Sequence, residues 1–123
     1  MFRELSTLLV LAMTAAGAGA QLLDRAALLH RVVGNTIHFQ GGGEDVFEYL
    51  APKGEIRGES SARGRYRARW RLLDDQTMCF ESADPMASGC VGVELGGAKI
   101  TFHRRDGVVE GPFEFLKGNP RSL

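Results

Sequence analysis

Residues 62–73 read ARGRYRARWRLL, with arginine at every second position: Arg63, Arg65, Arg67, Arg69 and Arg71. A period of two is the period of an extended strand, whose successive side chains point to opposite faces. Gly64, Tyr66, Ala68, Trp70 and Leu72 occupy the alternate positions and form an apolar face. Burying a row of guanidinium groups costs several kcal/mol per unpartnered charge, far more than packing Gly64 and Ala68 outward returns. The pattern therefore predicts a strand whose arginines meet water or a polar surface and whose tyrosine and tryptophan point inward.

Neighbouring turns set the register around it. With Asp74-Asp75-Gln76 as a three-residue loop, Leu72 meets Met78, Trp70 meets Phe80 and Arg69 meets Glu81, which turns Cys79 to the outer side. Gly96-Gly97 as a two-residue hairpin turn pairs Glu94 with Lys99, Val93 with Ile100, Val91 with Phe102 and Cys90 with His103. Asp106-Gly107, treated the same way, pairs His103 with Glu110, Ile100 with Phe113, Lys99 with Glu114 and Ala98 with Phe115. Both hairpins put Val91, Val93, Ile100, Phe102, Phe113 and Phe115 on one face and Glu94, Lys99 and Glu114 on the other. Cys79 and Cys90, the only cysteines, then share the outer side of adjacent strands and are expected to form a disulfide. A reactive thiol or a metal-ligating pair is the alternative.

Upstream, Leu22, Ala26, Leu29 and Val33 make a helical stripe stopped by Gly34. Strand-like runs follow over 36–40 and 45–50, separated by Gly41-Gly42-Gly43. Ala51-Pro52-Lys53-Gly54 has the composition of a tight turn, and 55–59 puts Glu55, Arg57 and Glu59 opposite Ile56, beside the arginines. The expected fold is mostly β: an N-terminal helix over an open end or edge, then about seven or eight antiparallel strands in a meander, curled as a small barrel or lipocalin-like half-barrel.

The first twenty residues read differently. Arg3 precedes LSTLLVLAMTAAGAGA, an apolar run ending in Ala18-Gly19-Ala20, so residues 1–20 are expected to be a cleavable signal peptide cut before Gln21, with an uncleaved anchor as the alternative. Residues 21–123 are then a single β-rich domain in a periplasmic or secreted setting. The run is short for a membrane span. Of 15 basic and 15 acidic residues the leader removes one each, so the domain stays neutral and no bulk charge points to nucleic acid or an anionic membrane.

The chemistry that remains is surface chemistry. Arg57 joins the row of five to make six arginines against Glu55, Glu59 and Glu81. One reading is a solvated strand face laced with ion pairs, which are weak when exposed. The functional reading is a noncatalytic interaction module: arginine forks hold carboxylate or phosphate in a bidentate manner, so this face docks an anionic protein surface or envelope phosphate groups. A second class is a carrier for a small apolar ligand, with Trp70, Phe80, Phe102 and Phe113 lining a cavity, against the competing need of so small a domain for those rings as core. His30, His38 and His103 lack close ligand spacing, although reduced Cys90 with His103 and Glu110 would make a cluster, so no metal or cofactor is expected. No nucleophile elbow or phosphate loop occurs, and Asp74-Asp75 reads as turn chemistry, so no catalytic residue is assigned.

Gly34-Asn35-Thr36 after a helix, Ala51-Pro52-Lys53-Gly54, Gly64, Trp70, Cys79, Cys90 and Gly118-Asn119-Pro120 together resemble uncharacterised small secreted or periplasmic β-domain families of Gram-negative bacteria. The resemblance covers most of the chain after the leader and implies fold and compartment, with no activity to carry over. Ser60-Ser61-Ala62-Arg63 to Tyr66 is also similar to the Ser-Gly-x-x-Tyr loop of periplasmic inhibitors of c-type lysozyme, without the glycine and with a longer spacing to the tyrosine. That likeness implies a lysozyme-inhibitor-like protein as a further alternative.

Overall fold

A computed structural model describes residues 21–84 and 88–123; the expected signal peptide lies outside them. Eight antiparallel strands follow one another around a closed barrel: β1 (Thr36–Gly41), β2 (Glu44–Leu50), β3 (Glu55–Ser60), β4 (Gly64–Asp74), β5 (Thr77–Glu81), β6 (Gly89–Gly96), β7 (Lys99–Arg104) and β8 (Val109–Leu116). β1 closes the ring on β8, pairing Thr36 with Leu116 and Ile37 with Phe115. The mostly β barrel expected from the sequence is the observed fold, and closure removes the free edges that an open sheet would present.

The arginine strand lies as its alternation dictates. Arg57, Arg65, Arg67, Arg69 and Arg71 are exposed, whereas Trp70 is only 8% exposed and packs with Ile56, Met78 and Ile100 in the core. Across β4 and β5 the register is Leu72 to Met78, Trp70 to Phe80 and Arg69 to Glu81, as expected. The turn itself is tighter than three residues: Asp74 pairs with Thr77, and the register shift between Leu72 and Asp74 absorbs the difference.

The β6–β7 hairpin turns one residue later than Gly96-Gly97, placing Val93 opposite Phe102 and Leu95 opposite Ile100. Gly97 has φ +64 while Ala98 is not among the positive-φ residues, which fits a turn that needs the left-handed conformation only at its first central position. Each residue's partner moves by two positions, so the faces are unchanged. His103 consequently sits opposite Gly92, not Cys90, and its Nε2 is 2.8 Å from Glu94. On the β8 side Lys99 meets Glu114 and Ile100 meets Phe113 as expected. Nearer the turn, Phe102 meets Glu110 and His103 meets Val109, because a bulge at Gly111 (φ +107) takes up one residue. The Cys90, His103 and Glu110 cluster is therefore not formed.

Cys79 and Cys90 are directly paired and disulfide-bonded. β5 and β6 share only the three pairs Met78–Val91, Cys79–Cys90 and Phe80–Gly89. Past that point the backbone N–H of Leu23 donates to Val93 O at 2.8 Å, where β5 no longer reaches. The disulfide thus staples a short seam of the barrel. Replacing both cysteines by serine is expected to lower the unfolding free energy by about 3 kcal/mol, the chain-entropy value for so short a loop. Urea unfolding of the oxidised parent and the variant measures it, and amide exchange should rise first in β5.

The N-terminal segment is helical but shorter than the run over 22–33: one α turn, Arg25–Ala27, opened by the Asp24 carboxylate accepting from the Ala27 N–H at 2.9 Å, continues as wider turns over Leu28–Val32. The buried stripe also differs, since Leu23, Leu28 and Val32 are buried while Ala26 and Leu29 face solvent. The N–H of Val33 bonds to Leu28 O, five residues back, and this wider winding rotates the inward face away from a 3.6-residue period. Leu28 and Val32 are fully buried against the same core as Ile37, Leu50 and Ile56, so the segment plugs the end where β1 begins. There the Asn35 carboxamide accepts from the Gly118 N–H at 2.7 Å and the Thr36 hydroxyl donates to Gly118 O at 2.7 Å. The two Gly-Asn motifs of the sequence meet at the β1–β8 seam.

Candidate functional site

The barrel end away from the helical plug holds a wide-mouthed cavity of about 830 Å³, half open to solvent and running from inward residues out to the exposed mouth. Its walls are the inward residues Phe39 and Val46 on β1 and β2, Tyr66 on β4, Phe80 on β5, Val91 on β6, Phe102 on β7 and Phe113 on β8. The phenyl rings contact one another: Phe39 and Phe113 lie 4.7 Å apart between centroids, Phe80 and Phe102 5.5 Å, and Phe102 and Phe113 5.8 Å. Three of the four aromatic positions singled out in the sequence, Phe80, Phe102 and Phe113, therefore line one space. Trp70 does not. It belongs to the packed half, where its indole N–H donates to Ala51 O at 2.8 Å, because two steps along β4 carry it from the Tyr66 and Ala68 levels toward the plug.

One carboxyl group shares this apolar space. Glu48 on β2 pairs with Ile37 on β1 and Gly58 on β3, both inward positions, so its side chain points into the barrel and lines the cavity. The Tyr66 hydroxyl donates to Glu48 Oε2. Gly58 makes this contact possible, because the Tyr66 ring lies where a side chain at 58 would be: a Cβ there would stand 2.2 Å from Tyr66 Cζ. Burial pushes the Glu48 carboxyl above its usual range, the Tyr66 hydrogen bond opposing it only in part, and burial likewise raises the Tyr66 phenol.

The Glu48 pKa is higher folded than unfolded, so its contribution to stability is full below about pH 4.5 and is lost as pH rises through the folded value. Glu48→Gln keeps an acceptor for Tyr66 and cannot ionise. The variant should match the parent in thermal unfolding at about pH 4 and melt several degrees higher at about pH 8.

Around the mouth, the arginines are compensated. Arg63 lies 3.3 Å from Glu44, Arg104 2.8 Å from Asp106 and 3.7 Å from Glu110, and Arg105 3.7 Å from Asp74. Arg63 stands in the β3–β4 turn, not on the strand, and so belongs to the cavity mouth.

The outer arginine face is a ladder. Glu55 takes both Arg57 at 2.7 Å and Arg67 at 2.6 Å, which relieves the direct opposition of Arg57 and Arg67 across β3 and β4. Glu59 takes Arg65 at 3.7 Å and Arg121 at 2.9 Å. Glu81 stands opposite Arg69 in register yet bonds Arg71 at 2.8 Å, so Arg69 has no carboxylate within ion-pair distance among the described residues. Arg57, Arg65 and Arg67 also border a shallow outer cleft of about 200 Å³ over Gly58.

Sequence reasoning missed Glu48, Phe39 and Val46. A signal existed, since Val46, Glu48 and Leu50 alternate, but Phe47 and Tyr49 between them look like the inward set. Outside, Phe47 stacks on His38 at 4.1 Å and lies under the Arg121 guanidinium at 4.3 Å. Ser60 and Tyr66, the ends of the segment similar to the inhibitor loop, both turn inward: Ser60 is buried and donates to Glu44. No group of His, Cys, Asp and Glu among the described residues is placed to hold a metal ion, and no described helix is long and apolar enough to cross a membrane.

No protein-family model, no curated protein and no solved structure matches this chain.

Proposed function

We propose that the barrel is a noncatalytic carrier that takes up a small molecule with an apolar body. The single observation that supports it is the cavity of about 830 Å³ walled by Phe39, Phe80, Phe102 and Phe113, a size within the range of about 300–1,000 Å³ usual for small-molecule sites. A domain of this length needs its rings as core, and Phe102 belongs to that core with Phe39, Phe80 and Phe113 packed against it, yet all four also border the cavity. The disulfide fits an oxidising compartment, which with the leader supports a periplasmic or secreted carrier.

Titration with N-phenyl-1-naphthylamine tests the reading. Saturable one-to-one fluorescence enhancement is expected, with loss of the enhancement in Val46→Trp, which fills the cavity from β2. An enhancement that survives that substitution, or none in the parent, removes the carrier. Quenching of Trp70 is a poor reporter, since its ring sits outside the cavity.

A second reading, docking of an anionic partner on the arginine face, draws on the unpaired Arg69 and on carboxylates that each serve two arginines. It makes binding salt-sensitive, and Arg67→Glu with Arg69→Glu weakens it without unfolding the barrel. Binding indifferent to both would exclude it.

A further inference from the structure

We infer that the occupant of the aromatic cavity is a small organic cation, an amine with an apolar body, whose charged group pairs with the Glu48 carboxylate. The inference rests on the carrier reading and names the ligand class for the same site. It follows from how the ionisable groups around the cavity are paired. Every arginine at the mouth, Arg63, Arg104 and Arg105, already has a carboxylate within 3.7 Å. Glu48 has only the Tyr66 hydroxyl and no basic partner among the described residues. Seen from the cavity, the one ionisable group left without an opposite charge is therefore acidic. An anionic ligand would have to displace an existing ion pair at the mouth and would bring Glu48 no basic partner. A neutral ligand would leave it as it is.

An ammonium group compensates it, and the surroundings suit a cation in a second way. Phe39, Phe80, Phe102 and Phe113 line the same cavity, and an aromatic ring attracts a desolvated cation that reaches its face. An apolar body fills the remaining space among Val46 and Val91.

Proton accounting follows directly. In the empty cavity burial favours the protonated carboxyl, and an ammonium group beside it favours the carboxylate, so binding of the charged amine releases the Glu48 proton to solvent. The titratable groups that share the cavity are Tyr66, whose phenol stays protonated throughout, and Asp106 and Glu110, which are tied to Arg104 at the mouth. Glu44 next to them is held ionised by Ser60 and Arg63. Glu48 is the group left to set the pH dependence.

Competition against bound N-phenyl-1-naphthylamine compares phenethylamine with its uncharged analogue 2-phenylethanol and with laurate. At about pH 7.5 the amine is expected to compete at least about ten-fold better than the alcohol, a difference of about 1.4 kcal/mol. That preference should shrink as pH falls toward the ordinary carboxylate range. In Glu48→Gln the ratio of amine to alcohol competition, measured against the naphthylamine bound to that same variant, should fall to about one. Equal competition by alcohol and amine, preference for laurate, or an amine preference that survives Glu48→Gln would overturn the inference and leave the carrier standing. Failure of the naphthylamine to enter the parent would overturn the carrier itself.

Discussion

Trp70→Ala is expected to lower the unfolding free energy of the domain by about 4–8 kcal/mol. Trp70 is 8% exposed, packs against the plug and the buried aliphatic residues, and places its N–H on Ala51 O, itself buried at the β2–β3 turn. Truncating a buried tryptophan costs about 3–5 kcal/mol through lost transfer energy and the cavity left behind. Orphaning a buried carbonyl adds about 1–3 kcal/mol. Small domains commonly hold only about 5–15 kcal/mol in total. Trp70→Phe separates the two parts, since it retains most of the volume and loses only the donor, and should cost about 1–3 kcal/mol. Urea titration followed by far-ultraviolet circular dichroism measures both. An alanine variant within about 1 kcal/mol of the parent would contradict the inward orientation of β4.

The second large effect is at Gly58, where the glycine is required by a ring and not by its backbone angle. A Cβ there would lie 2.2, 2.5 and 2.6 Å from three atoms of the Tyr66 ring. Gly58→Ala must therefore push the ring off β3. Overpacking of this kind costs about 1–3 kcal/mol, and removal of the Tyr66 hydroxyl from the buried Glu48 carboxyl adds about 1–3 kcal/mol. Gly58→Val should be worse. The cause can be isolated, because Tyr66→Ala removes the obstacle: Gly58→Ala made in a Tyr66→Ala background should cost clearly less than Gly58→Ala alone. Equal costs in both backgrounds would place the damage elsewhere.

The parts legible in the sequence were those where side-chain alternation is unambiguous. The ARGRYRARWRLL stretch fixes its own faces because no arrangement buries five guanidinium groups, and the loop placed over Asp74-Asp75-Gln76 set the β4–β5 register. The β6–β7 faces survived a misplaced turn, since a two-residue shift of partner preserves parity, and the bulge at Gly111 takes up the one-residue shift of the β7–β8 turn before Phe113 and Phe115, whereas the position of His103, which depends on register, did not survive. Two adjacent glycines leave the hairpin free to turn at Gly97-Ala98, and a bulge at Gly111 has no local signature apart from the glycine and proline themselves. The helical stripe was misplaced because the segment winds more widely than an α-helix. The cavity was partly legible, through Phe80, Phe102 and Phe113. Its acid was not. β2 inverts the usual pattern, with Phe47 and Tyr49 outside and Glu48 inside, and a strand that breaks the inside-outside rule without an obvious structural gain is where function is expected.

The most direct test of the central claim is the location of a bound apolar probe by intermolecular nuclear Overhauser effects. With N-phenyl-1-naphthylamine bound, contacts are expected to the ring protons of Phe39, Phe80, Phe102 and Phe113 and to the Val46 methyl groups, with none to Trp70. Contacts confined to the exposed Leu29, Val108 or Val109 would show a probe resting on the outer surface and would contradict the account.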